Sequence, residues 1–355
     1  MKTRVPESAA PPTGYSRILQ KAFDDKIPLT AHWELTYRCN LSCSHCYADR
    51  CGSVAELSTG QIIEGLRQLA AMRCLFLTFT GGEIFLRSDI LDILREAKQL
   101  GFAVKLFTNG TLMDERLADA VAEIEPVGVE MTLHSMDPAV HDTITHVPGS
   151  HAAVIRALRL CRERHINITV KTLLLKSNRG AFEGVRKFTE SEGARFVFDF
   201  VLVPTDTGRD TMKPYGLAEE EITEFIFSQS GGRSAAPKTP DASDPVCGAG
   251  SNTLCITPGG DVLPCLAVRR PVGNITKHPL AEIWRSPMLD PYRNMRYIDI
   301  PECRNCEYVV YCARCPGVAL AECGSVTGKS PSACVAARAA ARAAERTGKK
   351  QSVVS

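Results

Sequence analysis

The sequence lacks the features that mark exported, membrane-spanning or nucleic-acid-binding proteins. Its longest apolar runs fall far short of the roughly 20 residues that a transmembrane helix needs, and residues 1–28 carry no apolar signal-peptide segment. The formal net charge is only +2 over 355 residues, so the composition does not favour nucleic acid or an acidic membrane surface as a partner. We therefore predict a soluble, cytoplasmic protein that binds neither nucleic acid nor membrane.

Cysteine is nearly absent from the middle of the chain and concentrated on either side of it. Of the 15 cysteines, all but Cys74 and Cys161 fall between Cys39 and Cys51 or between Cys247 and Cys334. In a chain without an export signal, such clusters indicate metal ligands or reactive thiols and not a disulfide framework. Cys74 and Cys161 lie in apolar segments, so we predict that both pack in the core as small hydrophobic residues.

The N-terminal cluster contains a Cys-x3-Cys-x2-Cys run formed by Cys39, Cys43 and Cys46, directly after a strand-like segment at 32–37. Four cysteines saturate a [4Fe–4S] cluster, whereas three leave one iron open, much as a catalytic zinc site keeps an open position. The spacing also fits a zinc loop or three buried thiols. Cys51, which follows this run, is predicted to be an ordinary loop cysteine.

Strand-like and helix-like segments alternate along residues 29–205, with six strands in all. Strands separated by helices of this length predict an α/β fold with a parallel sheet and right-handed crossovers. The pattern does not distinguish an open doubly wound sheet from a partial barrel. Around this unit we predict an N-terminal arm at 1–28, a bridge at 206–246, a cysteine-rich domain at 247–335 and a solvated C-terminal helix and tail at 336–355.

Polar and glycine-rich motifs follow the predicted strands, at the end where barrel folds gather their chemistry. Gly81, Gly82 and Glu83 follow the second strand; the glycines permit a close backbone approach, and the carboxylate can accept hydrogen bonds from a cation. Thr108 and Asn109 follow the third strand. The last three strands each carry or lead into one polar candidate for a direct role in the reaction, namely His134, Lys171 and Asp199.

These motifs, in this order, resemble the radical SAM superfamily. The resemblance implies a (βα)6 partial TIM barrel and a [4Fe–4S] cluster on the three N-terminal cysteines, with S-adenosylmethionine bound to the open iron. It further implies that Gly81, Gly82 and Glu83 bind the amino group of the methionyl moiety. Thr108 and Asn109 would contact its ribose or carboxylate. The sequence departs from the family pattern at Ile84, where the family usually has proline.

The C-terminal cluster contains nine cysteines, more than the four ligands of a single zinc ion, although paired Cys-x2-Cys spacings are also common in zinc ribbons. The nine are Cys247, Cys255, Cys265, Cys303, Cys306, Cys312, Cys315, Cys323 and Cys334. The arrangement resembles the SPASM extension of radical SAM enzymes. Here the last internal gap is two residues in place of the usual three, and Cys323 is extra.

The SPASM resemblance implies two auxiliary [4Fe–4S] clusters, and therefore three clusters in all. One would use Cys247, Cys255, Cys265 and Cys315. The other would use Cys303, Cys306, Cys312 and Cys334. Cys323 is left without an assignment: it could replace Cys334 or another ligand, or remain a free thiol.

Together, the resemblances imply an enzyme that reductively cleaves S-adenosylmethionine to a 5′-deoxyadenosyl radical, which takes a hydrogen atom from a substrate. The family favours a ribosomally made peptide or protein side chain that is crosslinked or oxidised. A small-molecule oxidoreductase of cofactor or tetrapyrrole biosynthesis is the alternative, and a non-catalytic metal-stapled scaffold is a remote one. The expected partners are an external electron donor of the flavodoxin or ferredoxin type and a separate peptide-recognition protein, because about thirty residues precede the barrel.

Overall fold

In the computed structural model, which describes residues 14–48, 55–202, 204–205, 214–230 and 243–353, six parallel strands alternate with helices. The strands are β1 (Thr30–Glu34), β2 (Phe76–Thr80), β3 (Ala103–Thr108), β4 (Gly128–Thr132), β5 (Ile168–Leu173) and β6 (Arg195–Asp199). Each pairs in parallel with the next, so the predicted (βα)6 partial barrel is confirmed. Cys51 and much of the predicted bridge lie outside the described residues.

The helices of the described chain connect these strands or follow them. They are α1 (Gly14–Asp24), α2 (Thr59–Ala71), α3 (Ile90–Gln99), α4 (Glu115–Ile124), α5 (Pro138–Thr145), α6 (Ser150–Glu163), α7 (Phe182–Ser191), α8 (Glu219–Ser230), α9 (Leu280–Arg285), α10 (Asp290–Arg293), α11 (Pro316–Cys323) and α12 (Pro331–Val353). None of the helices in these residues is long and apolar enough to cross a membrane.

The cysteine-rich part extends the sheet of the barrel. Strand β7 (Thr253–Ile256) pairs in parallel with β1, and β8 (Asp261–Leu263) and β9 (Gly273–Asn274) follow in antiparallel pairing. The strand order in the described residues is therefore β6-β5-β4-β3-β2-β1-β7-β8-β9. This order places Cys255, on β7, beside the strand that leads into the N-terminal cysteine loop.

The two faces of the barrel sheet differ in burial, because successive strand residues point to opposite faces. Side chains toward the helices are fully buried, among them Trp33, Leu77, Phe79 and Leu106. The alternating side chains on the inner face are polar or only half-buried, as at His32, Lys105, Phe107, Glu130 and Lys171. The interior of the barrel is thus open and polar, whereas the apolar core lies between sheet and helices.

The structure corrects two expectations about helices. The sequence did not predict α5, whose start is capped by the Asp137 carboxylate accepting the Ala139 N–H at 2.9 Å. The C-terminal helix is longer than expected and is not simply solvated: Ala337, Ala339 and Ala343 on α12 are buried. Their small side chains allow the close approach of α8.

Candidate active site

The three N-terminal cysteines lie on one loop at the carboxyl end of β1, and all three are half-buried. The turn is closed by the Cys46 N–H, which donates to the Cys43 carbonyl at 3.1 Å. The carbonyls at the end of α5 hold the same loop: Ser42 N–H donates to Thr145 at 3.1 Å and Ser44 N–H to Ile144 at 2.9 Å. The unpredicted helix therefore supports the cysteine loop.

Gly81 and Gly82 pack directly against the backbone that leads from β1 into this loop. A Cβ at Gly81 would lie 2.2 Å from the Thr36 carbonyl oxygen, and one at Gly82 would lie 2.1 Å from that of Arg38. Gly81 also has a φ of +139°, which favours glycine. The Gly82 N–H donates to the Thr36 carbonyl at 2.7 Å. Both glycines therefore allow the backbone that follows β2 to contact the backbone that follows β1, a contact that a Cβ would prevent.

Glu83 is fully buried and joins β2 to β3. Its carboxylate accepts the Thr108 hydroxyl at 2.8 Å, the Asn109 N–H at 2.7 Å and the Phe85 N–H at 3.1 Å. Burial raises the pKa of this carboxyl, although the Asn109 and Phe85 N–H groups and the Thr108 hydroxyl act to lower it. The three donors favour the charged carboxylate, but burial has the larger effect, so the net shift of the Glu83 pKa is upward.

Asn109 continues this network to the cysteine loop. Its side-chain N–H2 donates to the Cys39 thiol at 3.7 Å and to the Asn40 side-chain oxygen at 2.8 Å. Its own side-chain oxygen accepts the Thr111 N–H at 2.9 Å, which holds the amide in this orientation. The predicted residues Glu83, Thr108 and Asn109 thus form one connected group that ends at Cys39.

The three candidates for a direct role have different surroundings. His134 is buried behind the cysteine loop, and its carbonyl accepts from Asn178 at 3.0 Å. Lys171 faces the barrel interior and pairs with Glu130. Asp199 accepts the Phe200 and Val201 N–H groups at 2.7 and 2.8 Å, and so ends β6. Lys171 and Asp199 belong to the same inner face of the sheet, because Lys171 is in register with Val197 and Leu173 with Asp199.

A row of four histidines is the feature that sequence reasoning missed. His45, which lies between two cysteines of the loop, is 4.7 Å from His134 between ring centroids. His134 lies 5.4 Å from His141, and His141 lies 5.6 Å from His151. Burial lowers the pKa of His45 to about 4. The position of His45 inside the cysteine run was the available signal.

The C-terminal cysteines fall into two groups in space. Burial, with smaller contributions from the neighbouring Cys247 and Cys315, raises the pKa of Cys265 to about 12. Cys255 is buried, and its pKa is also raised, first by burial and then by Glu34, with a smaller effect from Cys265. The first group therefore consists of Cys247, Cys255, Cys265 and Cys315.

The second group involves Cys303, Cys306, Cys312 and Cys334. Burial raises the pKa of Cys312 to about 11, and Cys334, Cys303 and Cys306 act on it in the same direction. Cys323 is exposed, and its thiol contacts the Ala319 carbonyl at 3.0 Å. Iron binding by these two sets of four, which the SPASM resemblance implies, stays a prediction.

The donor chemistry fits iron–sulfur clusters, because thiolates are their ligands. Among the described residues, no three His, Cys, Asp or Glu side chains converge to hold a single metal ion. Thiolates around a four-iron cluster each bind a different iron, so they need not converge on one point. The thiols with raised pKa values would release protons on metal binding.

A buried ion pair joins the barrel to the cysteine-rich part. The Arg269 guanidinium contacts the Glu34 carboxylate at 2.8 Å and the Tyr37 hydroxyl at 2.6 Å. Burial, followed by the Glu34 charge, raises the pKa of Tyr37. Because Glu34 ends β1 and Arg269 follows β8, this pair aligns the N-terminal cysteine loop with the first C-terminal group.

Two family profiles match the chain. The profile of the Radical SAM superfamily matches residues 33–189, and SPASM, an iron–sulfur cluster-binding domain, matches residues 247–307. The first spans the strands and motifs described above from β1 to α7. The second contains the first-group cysteines Cys247, Cys255 and Cys265 and the second-group cysteines Cys303 and Cys306.

Similar proteins include enzymes of two kinds. The AdoMet-dependent heme synthase of Oleidesulfovibrio alaskensis is 25% identical over 331 residues, which cover 84% of this chain and 85% of the relative. The PqqA peptide cyclase of Gluconobacter oxydans is 28% identical over 300 residues, covering 79% and 83%. The structure of Streptococcus suis SuiB bound to its precursor peptide SuiA has the same fold, with a TM-score of 0.67, 17% identity and coverage of 94% and 83%.

Proposed function

Because the chain belongs to the radical SAM superfamily, in its SPASM subgroup, and is therefore an enzyme, we propose that it modifies a peptide or protein side chain by radical chemistry. When bound, S-adenosylmethionine and the cluster at Cys39, Cys43 and Cys46 supply a 5′-deoxyadenosyl radical that abstracts a hydrogen atom. The outcome for the substrate would be a crosslink or an oxidation. An external flavodoxin- or ferredoxin-type protein would supply the electron, and a separate protein would recognise the peptide.

The observation that carries this proposal is the connection from Glu83 through Thr108 and Asn109 to the Cys39 thiol. It joins the motif that would hold the methionyl group to the loop that would hold the cluster. These residues would fix the position of the methionyl group relative to the cluster. Orienting the cofactor in this way is the protein's contribution to cofactor chemistry. The two spatial groups of four cysteines support two auxiliary [4Fe–4S] clusters, hence three clusters in all.

Iron counting and cleavage of S-adenosylmethionine test this proposal. After anaerobic reconstitution we expect about twelve irons per chain, four in each of three clusters. Dithionite reduction should then yield 5′-deoxyadenosine. Replacing Cys39, Cys43 and Cys46 together by alanine should remove about four irons and abolish this product. The matched variant Cys323→Ala should keep both.

Other results would contradict the enzymatic proposal or the assigned ligand sets. Zinc in place of iron, or full iron loading without 5′-deoxyadenosine, would contradict the enzymatic proposal and favour a metal-stapled scaffold. Loss of a whole cluster in Cys323→Ala would contradict the ligand sets and place Cys323 among the ligands.

A second candidate function is the oxidation of a small molecule, such as a tetrapyrrole in cofactor biosynthesis. The similarity to heme synthases over most of the chain favours it. The substrate should raise the rate of 5′-deoxyadenosine formation above the rate without substrate. A propionate-bearing porphyrin and a short Cys- or aromatic-rich peptide encoded beside this gene can be compared in that assay. Stimulation by the porphyrin alone would replace peptide maturation with this second function.

A further inference from the structure

Two lysines and one glutamate meet on the inner face of the barrel. The Lys105 ammonium on β3 lies 2.9 Å from one carboxylate oxygen of Glu130 on β4. The Lys171 ammonium on β5 contacts the other oxygen of the same carboxylate. Lys171 also lies 3.7 Å from the centroid of the Phe107 ring. Three adjacent strands therefore direct their charged groups to one point inside the barrel.

This group carries more positive than negative charge. Both lysines share the single Glu130 carboxylate, and the other inward-facing carboxylate of β1, Glu34, pairs with Arg269. His32 on β1 lies on the same face, in register with Lys105 through Thr78 of β2. Its buried Nδ1 has no hydrogen-bond partner among the described residues. Among Lys105, Lys171 and Glu130, together with the Glu34–Arg269 pair, one positive charge is thus left over.

The lysines remain open to a ligand. The side chains of Lys105 and Lys171 are 32% and 38% exposed, whereas that of Glu130 is 10% exposed. All of them stand on the face away from the helices, and the N-terminal cysteine loop follows β1 of the same sheet. An ammonium in such a concave, partly desolvated setting attracts an anion more strongly than one on an open surface.

We propose that Lys105 and Lys171 form a carboxylate-binding subsite inside the barrel. This inference rests on the proposed function, because the ligand would be a reactant of the radical reaction. The carboxylate would belong either to the substrate or to S-adenosylmethionine. It would bind the ammonium groups that Glu130 holds in place, with the unpartnered His32 nitrogen as a further polar contact.

Chemical protection of the lysines tests this subsite. The reconstituted holoenzyme is labelled with an N-hydroxysuccinimide ester of acetate, and mass spectrometry follows each lysine. We expect the dicarboxylate glutarate to slow labelling of Lys105 and Lys171 by about fivefold or more, as an ion pair at a desolvated site predicts. The neutral analogue glutaramide should have no effect. Lys98, which pairs with Glu125 outside the barrel, serves as the internal control.

A charge variant separates binding from a merely structural ion pair. Glu130→Gln removes the carboxylate that competes for the lysines, so glutarate should bind about tenfold more tightly, an effect of about 1.4 kcal/mol. Lys171→Gln should weaken glutarate binding at Lys105 by a similar factor. A purely structural role for Glu130 predicts no gain in glutarate affinity. Iron content identifies variants that have lost their fold.

Repeating the labelling with S-adenosylmethionine distinguishes the two sources of the carboxylate. Protection by S-adenosylmethionine that glutarate cannot increase assigns the subsite to the cofactor's carboxylate. Further protection by glutarate on the S-adenosylmethionine complex assigns it to the substrate. No protection of the wild-type lysines by either compound overturns the subsite. Because labelling needs no turnover, its result stands apart from 5′-deoxyadenosine formation, which tests the proposed function.

Discussion

At the residue scale, the adjacent glycines Gly81 and Gly82 determine how closely β2 approaches the backbone that enters the cysteine loop. Their role could be only partly predicted from the sequence. The motif indicated a close backbone approach to a ligand, because glycine lacks a Cβ. The structure adds that the nearest backbone is that of Thr36 and Arg38. That contact joins residues far apart in the chain, so no local pattern could reveal it.

Gly82→Ala should therefore damage the site. The new Cβ would lie 2.1 Å from the Arg38 carbonyl oxygen, next to Cys39. Overpacking of this kind costs about 1–3 kcal/mol, and the displaced loop should lose most 5′-deoxyadenosine formation. Gly60→Ala on α2 is the matched control, because its Cβ would meet nothing within 4 Å. Chemical denaturation and the cleavage assay measure both effects; equal activity in the two variants would disprove the contact's importance.

The buried histidines predict a loss of stability in acid. Burial, and then His151, lowers the pKa of His141 to about 4, below the unfolded value of about 6.5. The folded state thus favours the neutral ring, and its advantage is present above about pH 6.5 and is lost as pH falls toward the folded pKa. From about pH 7.5 to about pH 5, this histidine should cost roughly 2 kcal/mol of unfolding free energy.

His141→Asn should remove this share of the pH dependence. Its side-chain oxygen can replace the ring Nδ1 that accepts the His134 N–H at 3.2 Å. The exposed His278 provides the control substitution, His278→Asn. Urea unfolding at the two pH values measures the change. If both variants lose as much stability in acid as the wild type, the buried ring is not the cause.

At the scale of elements, charge holds α12 onto α8. Arg338 and Arg342 on α12 contact the Glu219 carboxylate on α8 at 2.8 and 3.0 Å. The first turn of α12 carries Cys334, a member of the second cysteine group. The sequence predicted a helix here from its alanine content. Its partner could not be predicted, because the acidic face of α8 lies more than a hundred residues away in the chain.

Glu219→Gln should loosen this pair of helices. It removes the charge that two guanidinium groups share in a carboxylate only 16% exposed, so we expect a loss of about 1–3 kcal/mol in unfolding free energy. Glu220→Gln is the neighbouring control, since that side chain is 78% exposed and such pairs contribute about 1 kcal/mol or less. Thermal unfolding at low and high salt measures both. A larger effect of Glu220→Gln would contradict the assigned contact.

At the scale of the whole molecule, the barrel and the cysteine-rich part are built on one continuous sheet. Strand β7 lies beside β1, and the Arg269–Glu34 pair is largely buried, with side chains 17% and 1% exposed. This junction keeps the N-terminal cysteine loop in register with Cys255, which pairs with His32 across β1 and β7. Electron exchange between clusters would depend on such a constant arrangement.

Arg269→Gln should destabilise the whole molecule. It removes the guanidinium that faces the buried Glu34 carboxylate, and removing one partner of a buried ion pair costs about 3–5 kcal/mol. Arg270→Gln is the adjacent control, because its exposed guanidinium donates to the Gly324 carbonyl at 3.1 Å. Denaturation of the two reconstituted variants, with iron counted before and after, measures the effect. Equal stability of both variants would show that Glu34 finds another partner.

The strand order of the partial barrel followed only from the resemblance to the radical SAM superfamily. The α/β fold class and the identity of the clustered thiols could be predicted from the residue order. They depend on local periodicity and spacing, which neighbouring residues along the chain determine. Iron binding by each thiol stays a prediction. The helix α5 was not found because it is short and has no clear apolar period.

Tertiary structure decided the rest, because it depends on pairs of residues that are distant in the chain. The pairing of β7 with β1, the burial of Glu83 against Thr108, the histidine row and the shared carboxylate of Glu130 all arise only when the strands assemble. A lysine or histidine in a strand has the same local pattern whether it faces solvent or the barrel interior. Its electrostatic role is set by the charges that folding brings within a few ångströms of it.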